Sequence, residues 1–107
     1  MTEVTTHVLD TAAGRPAAGV PVSLHEREQD GSWKQLGSVA TNTDGRARAL
    51  SGEGGVSAGS YRLVFDTAAY GATFFAEVIV TFRVADEDHL HIPLLLSPYG
   101  YSVYRGS

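Results

Sequence analysis

The chain has 107 residues, 12 acidic against 8 basic for a formal net charge of −4, 43% hydrophobic residues and no cysteine. That length suits one domain over residues 1–107, and the composition excludes chain-wide disorder, while no run approaches the ~20 apolar residues of a membrane helix. The acid excess argues against nucleic acid as a partner, and the missing cysteines exclude disulfides, cysteine-bound zinc and a thiol nucleophile.

Met1-Thr2-Glu3-Val4 shows neither the basic patch nor the apolar run of a secretory signal, so the cytoplasm is the expected location. A first strand is predicted over residues 4–10 and carries His7. Gly14-Arg15-Pro16 then reads as a turn. Over residues 19–26, Val20, Val22 and Leu24 alternate with Pro21, Ser23 and His25, the period of a half-buried strand. His25 adjoins Glu26, Arg27 and Glu28 and reads as a solvated strand end. After the Asp30-Gly31 turn comes a weaker strand over 33–41, then a turn at Asp44-Gly45. Arg46 and Arg48 follow, and in an extended segment both point to one side.

Gly52-Glu53-Gly54-Gly55 is a turn and not a phosphate loop, because no Lys-Ser/Thr and no helix follow it. Residues 60–66 place Tyr61, Leu63 and Phe65 on one face, and Thr67-Ala68-Ala69-Tyr70 suits a single helical turn. A strand is predicted over 74–84, with Val78, Val80, Phe82 and Val84 sharing its apolar face. Asp86-Glu87-Asp88 reads as a solvated turn and not a calcium loop. Over 89–96, Leu90, Ile92, Leu94 and Leu96 share one face, which leaves His89, His91, Pro93 and Leu95 on the other. Ser97-Pro98 turns the chain into a last strand over 99–104. Some seven short strands between turns predict an all-β sandwich or barrel.

The four histidines are the first candidates for chemistry, because imidazole exchanges protons near neutral pH. His89 and His91 project to the same side of their strand and could supply part of a zinc site with His7, but paired histidines on a polar face are more often simply solvated. A guanidinium at Arg46 or Arg48 suits an anionic or carbonyl-rich ligand. No Gly-x-Ser-x-Gly elbow is present. The chain end carries Tyr99, Tyr101, Tyr104, Arg105 and Ser107, a composition that suits a docked terminus better than a frayed one.

Four blocks, in order and spacing, resemble the 5-hydroxyisourate hydrolase family, the transthyretin-related enzymes of purine degradation. They are Thr6-His7-Val8-Leu9-Asp10, Asn42-Thr43-Asp44-Gly45-Arg46, the run from His89 to Ser102, and Tyr104-Arg105-Gly106-Ser107. Transthyretin is similar over Leu-Ser-Pro-Tyr but lacks the final tetrapeptide, which is the most discriminating block. One departure is Phe75-Ala76-Glu77, where the family pattern has Phe-Pro-Glu.

The resemblance implies a transthyretin-like sandwich of two four-stranded sheets with one short helix. It also implies a homotetramer with active sites at the dimer–dimer interface. The implied substrate is 5-hydroxyisourate, opened by water attack on a cyclic amide, with no cofactor and no metal. Carried over onto this sequence, the catalytic set is His7, Arg46, His91 and Ser107, and the substrate-binding set is His7, Arg46 and Tyr104. His7 and His91 hold and deprotonate the water, with the base left open between them, and His89 has a supporting claim. Arg46 faces the carbonyl-rich edge and the developing oxyanion. Two alternatives stand beside this reading: a carrier of small aromatic ligands on the same fold, and a zinc hydrolase built on His7, His89 and His91.

Overall fold

The computed structural model describes residues 1–107. The strands are β1 (Glu3–Asp10), β2 (Arg15–Pro16), β3 (Pro21–Arg27), β4 (Trp33–Ala40), β5 (Arg46–Ala47), β6 (Gly59–Phe65), β7 (Val78–Val84), β8 (His89–Ser97) and β9 (Gly100–Val103). A single helical turn, α1 (Thr67–Tyr70), follows β6. No helix is long and apolar enough to cross a membrane.

The strands form two sheets packed as a sandwich around one core. One is four-stranded, in the order β4-β3-β6-β7, and antiparallel throughout. The other runs β2-β1-β8-β9, with β5 paired to β1 as a fifth member. The expectation of two four-stranded sheets is therefore amended on one side. The short β5 joins because the turn before it carries Arg46 back alongside His7.

Period-two alternation accounts for the core. Val22 and Leu24 of β3, Tyr61, Leu63 and Phe65 of β6, and Leu90, Ile92 and Leu94 of β8 point inward and are buried with Val4 and Val8 of β1. Each buried Leu or Phe contributes on the order of 2 kcal/mol through removal of apolar surface from water. Thr6 also points inward, and its hydroxyl donates to the Ile92 carbonyl at 2.5 Å, which satisfies the polar group in an apolar layer. β1 and β8 run parallel in an unbroken register from Glu3 opposite His89 to Asp10 opposite Leu96. Parallel neighbours need a crossover, and here the other sheet lies in the intervening chain.

α1 occupies the predicted residues. Asp66 caps it by accepting from the Ala69 N–H at 3.1 Å, and Gly71 ends it in the left-handed conformation. The strand predicted from residue 74 starts only at Val78. Pairing with β6 ends where Phe65 meets Val78, and residues 75–76 are held instead by the Thr67 hydroxyl on the Phe75 carbonyl and the Ala68 N–H on the Ala76 carbonyl. Local bonds to the helical turn outcompete the ladder there. The remaining predicted strands agree to within two residues at each end.

Candidate active site

The outer face of the β1–β8–β5 region carries the chemistry. Thr5 and His7 project there from β1, His89 and His91 from β8, and Arg46 from β5. Parallel register sets Thr5 opposite His91, while antiparallel pairing sets His7 opposite Arg46. Strands β1 and β8 thus bring together residues more than eighty positions apart.

Arg46 owes its position to the turn before it. The Asn42 side-chain oxygen accepts from the backbone N–H groups of Asp44 at 2.9 Å and Arg46 at 3.0 Å, an Asx-type turn. Gly45 adopts φ +77°, and a Cβ there would lie 2.4 Å from the Val8 carbonyl oxygen, so the turn requires glycine both for its conformation and for its close approach to β1. His7 is tied to the same turn through Nε2, 2.8 Å from the Asp44 carbonyl oxygen. A carbonyl only accepts, so Nε2 carries the proton, and in neutral His7 the lone pair lies on Nδ1.

His91 is half-buried, with Nδ1 2.9 Å from the Thr5 hydroxyl oxygen. That oxygen also lies 2.7 Å from Nε2 of His89, which is exposed. Burial is the main influence holding the His91 pKa below the ordinary histidine value, and the neighbouring cations, Arg46 foremost, add to it. His91 therefore favours its neutral, proton-accepting form.

The chain end closes over this face. The Gly106 N–H donates to the His91 carbonyl at 2.7 Å, and Arg105 lies 4.0 Å from the Glu87 carboxylate. Ser107 lines a cleft of about 330 Å³ together with Glu3, Thr5, Thr6, Arg46, Arg48, His89 and His91, without a hydrophobic residue among them.

Of the predicted site residues, the structure gathers Arg46, His91 and Ser107 into this cleft and sets His7 beside Arg46. Tyr104 lies elsewhere in the chain. It lines a separate groove with Val80, Phe82, Leu90 and Ile92 and is 52% exposed. His25, assigned to a solvated strand end, sits in the other sheet and bonds to Ser23 at 2.8 Å. Sequence reasoning missed Thr5 and Asn42. Asn42 had a signal, the Asn-x-Asp-Gly spacing of an Asx turn, whereas Thr5 had only its parity with His7. His, Asp and Glu residues do not gather in groups of three that could hold a metal ion.

Around this polar cleft a neutral imidazole can accept a proton, and the guanidinium and hydroxyl groups suit a carbonyl-rich or anionic molecule. Comparison with known proteins identifies the family of the chain. A family model described as HIUase/Transthyretin family matches residues 4–106. A 5-hydroxyisourate hydrolase of Salmonella dublin is 46% identical over an alignment of 107 positions that covers 94% of this chain and 78% of that protein. The Klebsiella pneumoniae 5-hydroxyisourate hydrolase structure superposes with a TM-score of 0.86 at 38% identity, covering all of both chains. Sea bream transthyretin, solved in complex with thyroxine, superposes with a TM-score of 0.89 at 31% identity over 96% of this chain and 93% of its own.

Proposed function

This chain belongs to the HIUase/transthyretin family, and from that premise we propose that it is an enzyme that hydrolyses 5-hydroxyisourate in urate degradation. The observation that carries the reading is the convergence of His91, Arg46 and Ser107 in one polar cleft, with His7 fixed beside Arg46. A carrier of small aromatic ligands would have little use for a cleft lined by no hydrophobic residue.

In the proposed reaction, His91 or His7 takes a proton from water as its oxygen bonds to the cyclic amide carbonyl carbon. Arg46 faces the oxyanion that forms, and Ser107 hydrogen-bonds the water or an adjacent imidazole. The imidazolium returns its proton to the ring nitrogen as the C–N bond breaks, which leaves the ureidoimidazoline carboxylate. The scheme uses no metal and no cofactor. His7, Arg46 and Tyr104 bind the substrate.

Residues 1–107 act as one domain in this reading, and four such chains assemble with their sites where two dimers meet. Tyr104 would then meet substrate across the interface, since within one chain it lines a groove apart from the cleft. The cytoplasm is the proposed compartment, which suits a cysteine-free chain.

The test is to generate 5-hydroxyisourate from urate with uricase and follow its absorbance decay with and without the protein. Faster decay is expected, and His91→Asn should slow catalysis by about 10²–10⁴-fold. An unchanged decay rate with the intact protein overturns the assignment.

A further inference from the structure

We infer that Thr5 is a positioning residue: its one hydroxyl proton, placed between His89 and His91, selects which nitrogen of His91 presents a lone pair to the cleft and makes that selection depend on His89. The inference rests on the hydrolase reading above, with His91 as the base.

The Thr5 oxygen lies 2.7 Å from Nε2 of His89 and 2.9 Å from Nδ1 of His91. A hydroxyl has a single proton and two lone pairs, so it donates to at most one of the two imidazoles. Two arrangements place that proton between the rings. If Thr5 donates to His91, neutral His91 carries its proton on Nε2, and neither ring nitrogen has a lone pair free for water. If Thr5 donates to His89, His91 donates from Nδ1–H and keeps a lone pair on Nε2, the nitrogen with no partner in the chain.

Electrostatics selects the second arrangement. The charges that bear on His91 are cationic, with Arg46 foremost and Arg48 contributing. A lone pair in that positive potential is favoured over an N–H dipole. This arrangement also survives catalysis unchanged. When Nε2 takes a proton, Nδ1–H still donates to Thr5 and Thr5 still donates to His89, so no group has to turn. Thr5 is well placed to hold the pattern, being 7% exposed, β-branched and directly opposite His91 in the parallel ladder.

The arrangement requires a lone pair on Nε2 of His89. A protonated His89 must donate to Thr5, which frees the Thr5 proton to turn to Nδ1 of His91 and so place the His91 proton on Nε2. Exposed His89 thus acts as a proton-sensitive partner of the base. The groups facing it are Glu3 and Thr5 from β1, His91 on its own strand, Arg46 and Arg48, and Ser107 at the chain end.

The experiment is long-range 1H–15N NMR of the histidine rings in the substrate-free protein, combined with kcat and KM for Thr5→Val, Thr5→Ser and His89→Ala. The intact protein should show His91 protonated at Nδ1. Thr5→Val should shift the ring toward Nε2–H and lower kcat about 10–100-fold with KM little changed, and Thr5→Ser should restore both. His89→Ala, at an exposed position, should shift the tautomer in the same direction and carries the test if Thr5→Val fails to fold. His91 protonated at Nε2 in the intact protein, or a tautomer indifferent to these substitutions, overturns the inference. The spectra need no substrate, so a protein that leaves 5-hydroxyisourate untouched would refute the hydrolase reading separately.

Discussion

Gly106 packs against His91 so closely that a side chain would not fit between them. Its N–H donates to the His91 carbonyl at 2.7 Å, and a Cβ at position 106 would fall 2.9 Å from Cδ2 of the imidazole and 3.3 Å from Cγ of Pro93. Cδ2 is bonded to Nε2, so the chain end packs beside the edge of the ring expected to meet water. Gly106→Ala should therefore displace either the imidazole or the terminus. A loss of about 10²-fold in kcat/KM is expected from a shift of this kind, with the melting temperature little changed because the terminus contributes nothing to the core. Full activity in this variant would show that the close approach is immaterial.

Asn42 makes no contact with the cleft, yet it holds the turn that delivers Arg46. Asn42→Ala removes the one acceptor that serves the N–H groups of both Asp44 and Arg46. Urea unfolding should record a loss of about 1 kcal/mol. Steady-state kinetics should show a raised KM and a lowered kcat as the guanidinium loses its fixed position. An Arg46 unaffected in both respects would assign the turn to the backbone alone.

His91 should titrate below the ordinary histidine value, because burial and the neighbouring cations oppose its charged form. The sign follows from linkage. A folded pKa below the unfolded one contributes stability that is fully present above the unfolded pKa and is lost as pH falls through the folded pKa. Arg46→Gln removes the largest cationic influence, so it should move the His91 midpoint upward and weaken that acid sensitivity. Proton NMR of the imidazole Cε1–H across pH measures both midpoints, and a downward shift in the variant would contradict the electrostatic account.

Away from the site, the Tyr70 hydroxyl donates to the Asp10 carboxylate at 2.7 Å and ties α1 to the end of β1. This bond is the leading reason the Asp10 pKa is lowered. Tyr70→Phe should cost about 1 kcal/mol above the carboxylate range, with less difference from the parent as pH falls and Asp10 protonates. Its kinetics should match the parent, because neither residue lines the polar cleft. Loss of activity without loss of stability would tie this strut to the site.

Prolonged treatment with a strong chelator should leave turnover of 5-hydroxyisourate unchanged. The proposed chemistry runs on imidazole, guanidinium and hydroxyl groups. Activity that falls on chelation and returns with zinc would favour the rival built on His7, His89 and His91.

Much of this molecule was legible residue by residue. Alternation in residues 20–24, 61–65 and 90–96 identified the buried faces, because side chains of a strand alternate whatever its neighbours are. The helical turn at residues 67–70 was legible from its composition, and its cap is Asp66. The beginning of β7 was not, because bonds from Thr67 and Ala68 hold residues 75–76 away from the ladder and no periodicity records them.

For the site, residue types nominated the histidines, Arg46 or Arg48 and the chain end, since imidazole, guanidinium and hydroxyl chemistry belongs to the side chains themselves, and the resemblance to the hydrolase family narrowed these to His7, Arg46, His91 and the terminal tetrapeptide. Only the tertiary structure decided which of them meet. The parallel pairing of β1 with β8 sets Thr5 between two histidines, and the Asn42 turn sets Arg46 beside His7, while Tyr104 falls in a groove apart. Strand alternation is a local property, but the choice of neighbouring strand and its register depends on how distant apolar faces bury one another.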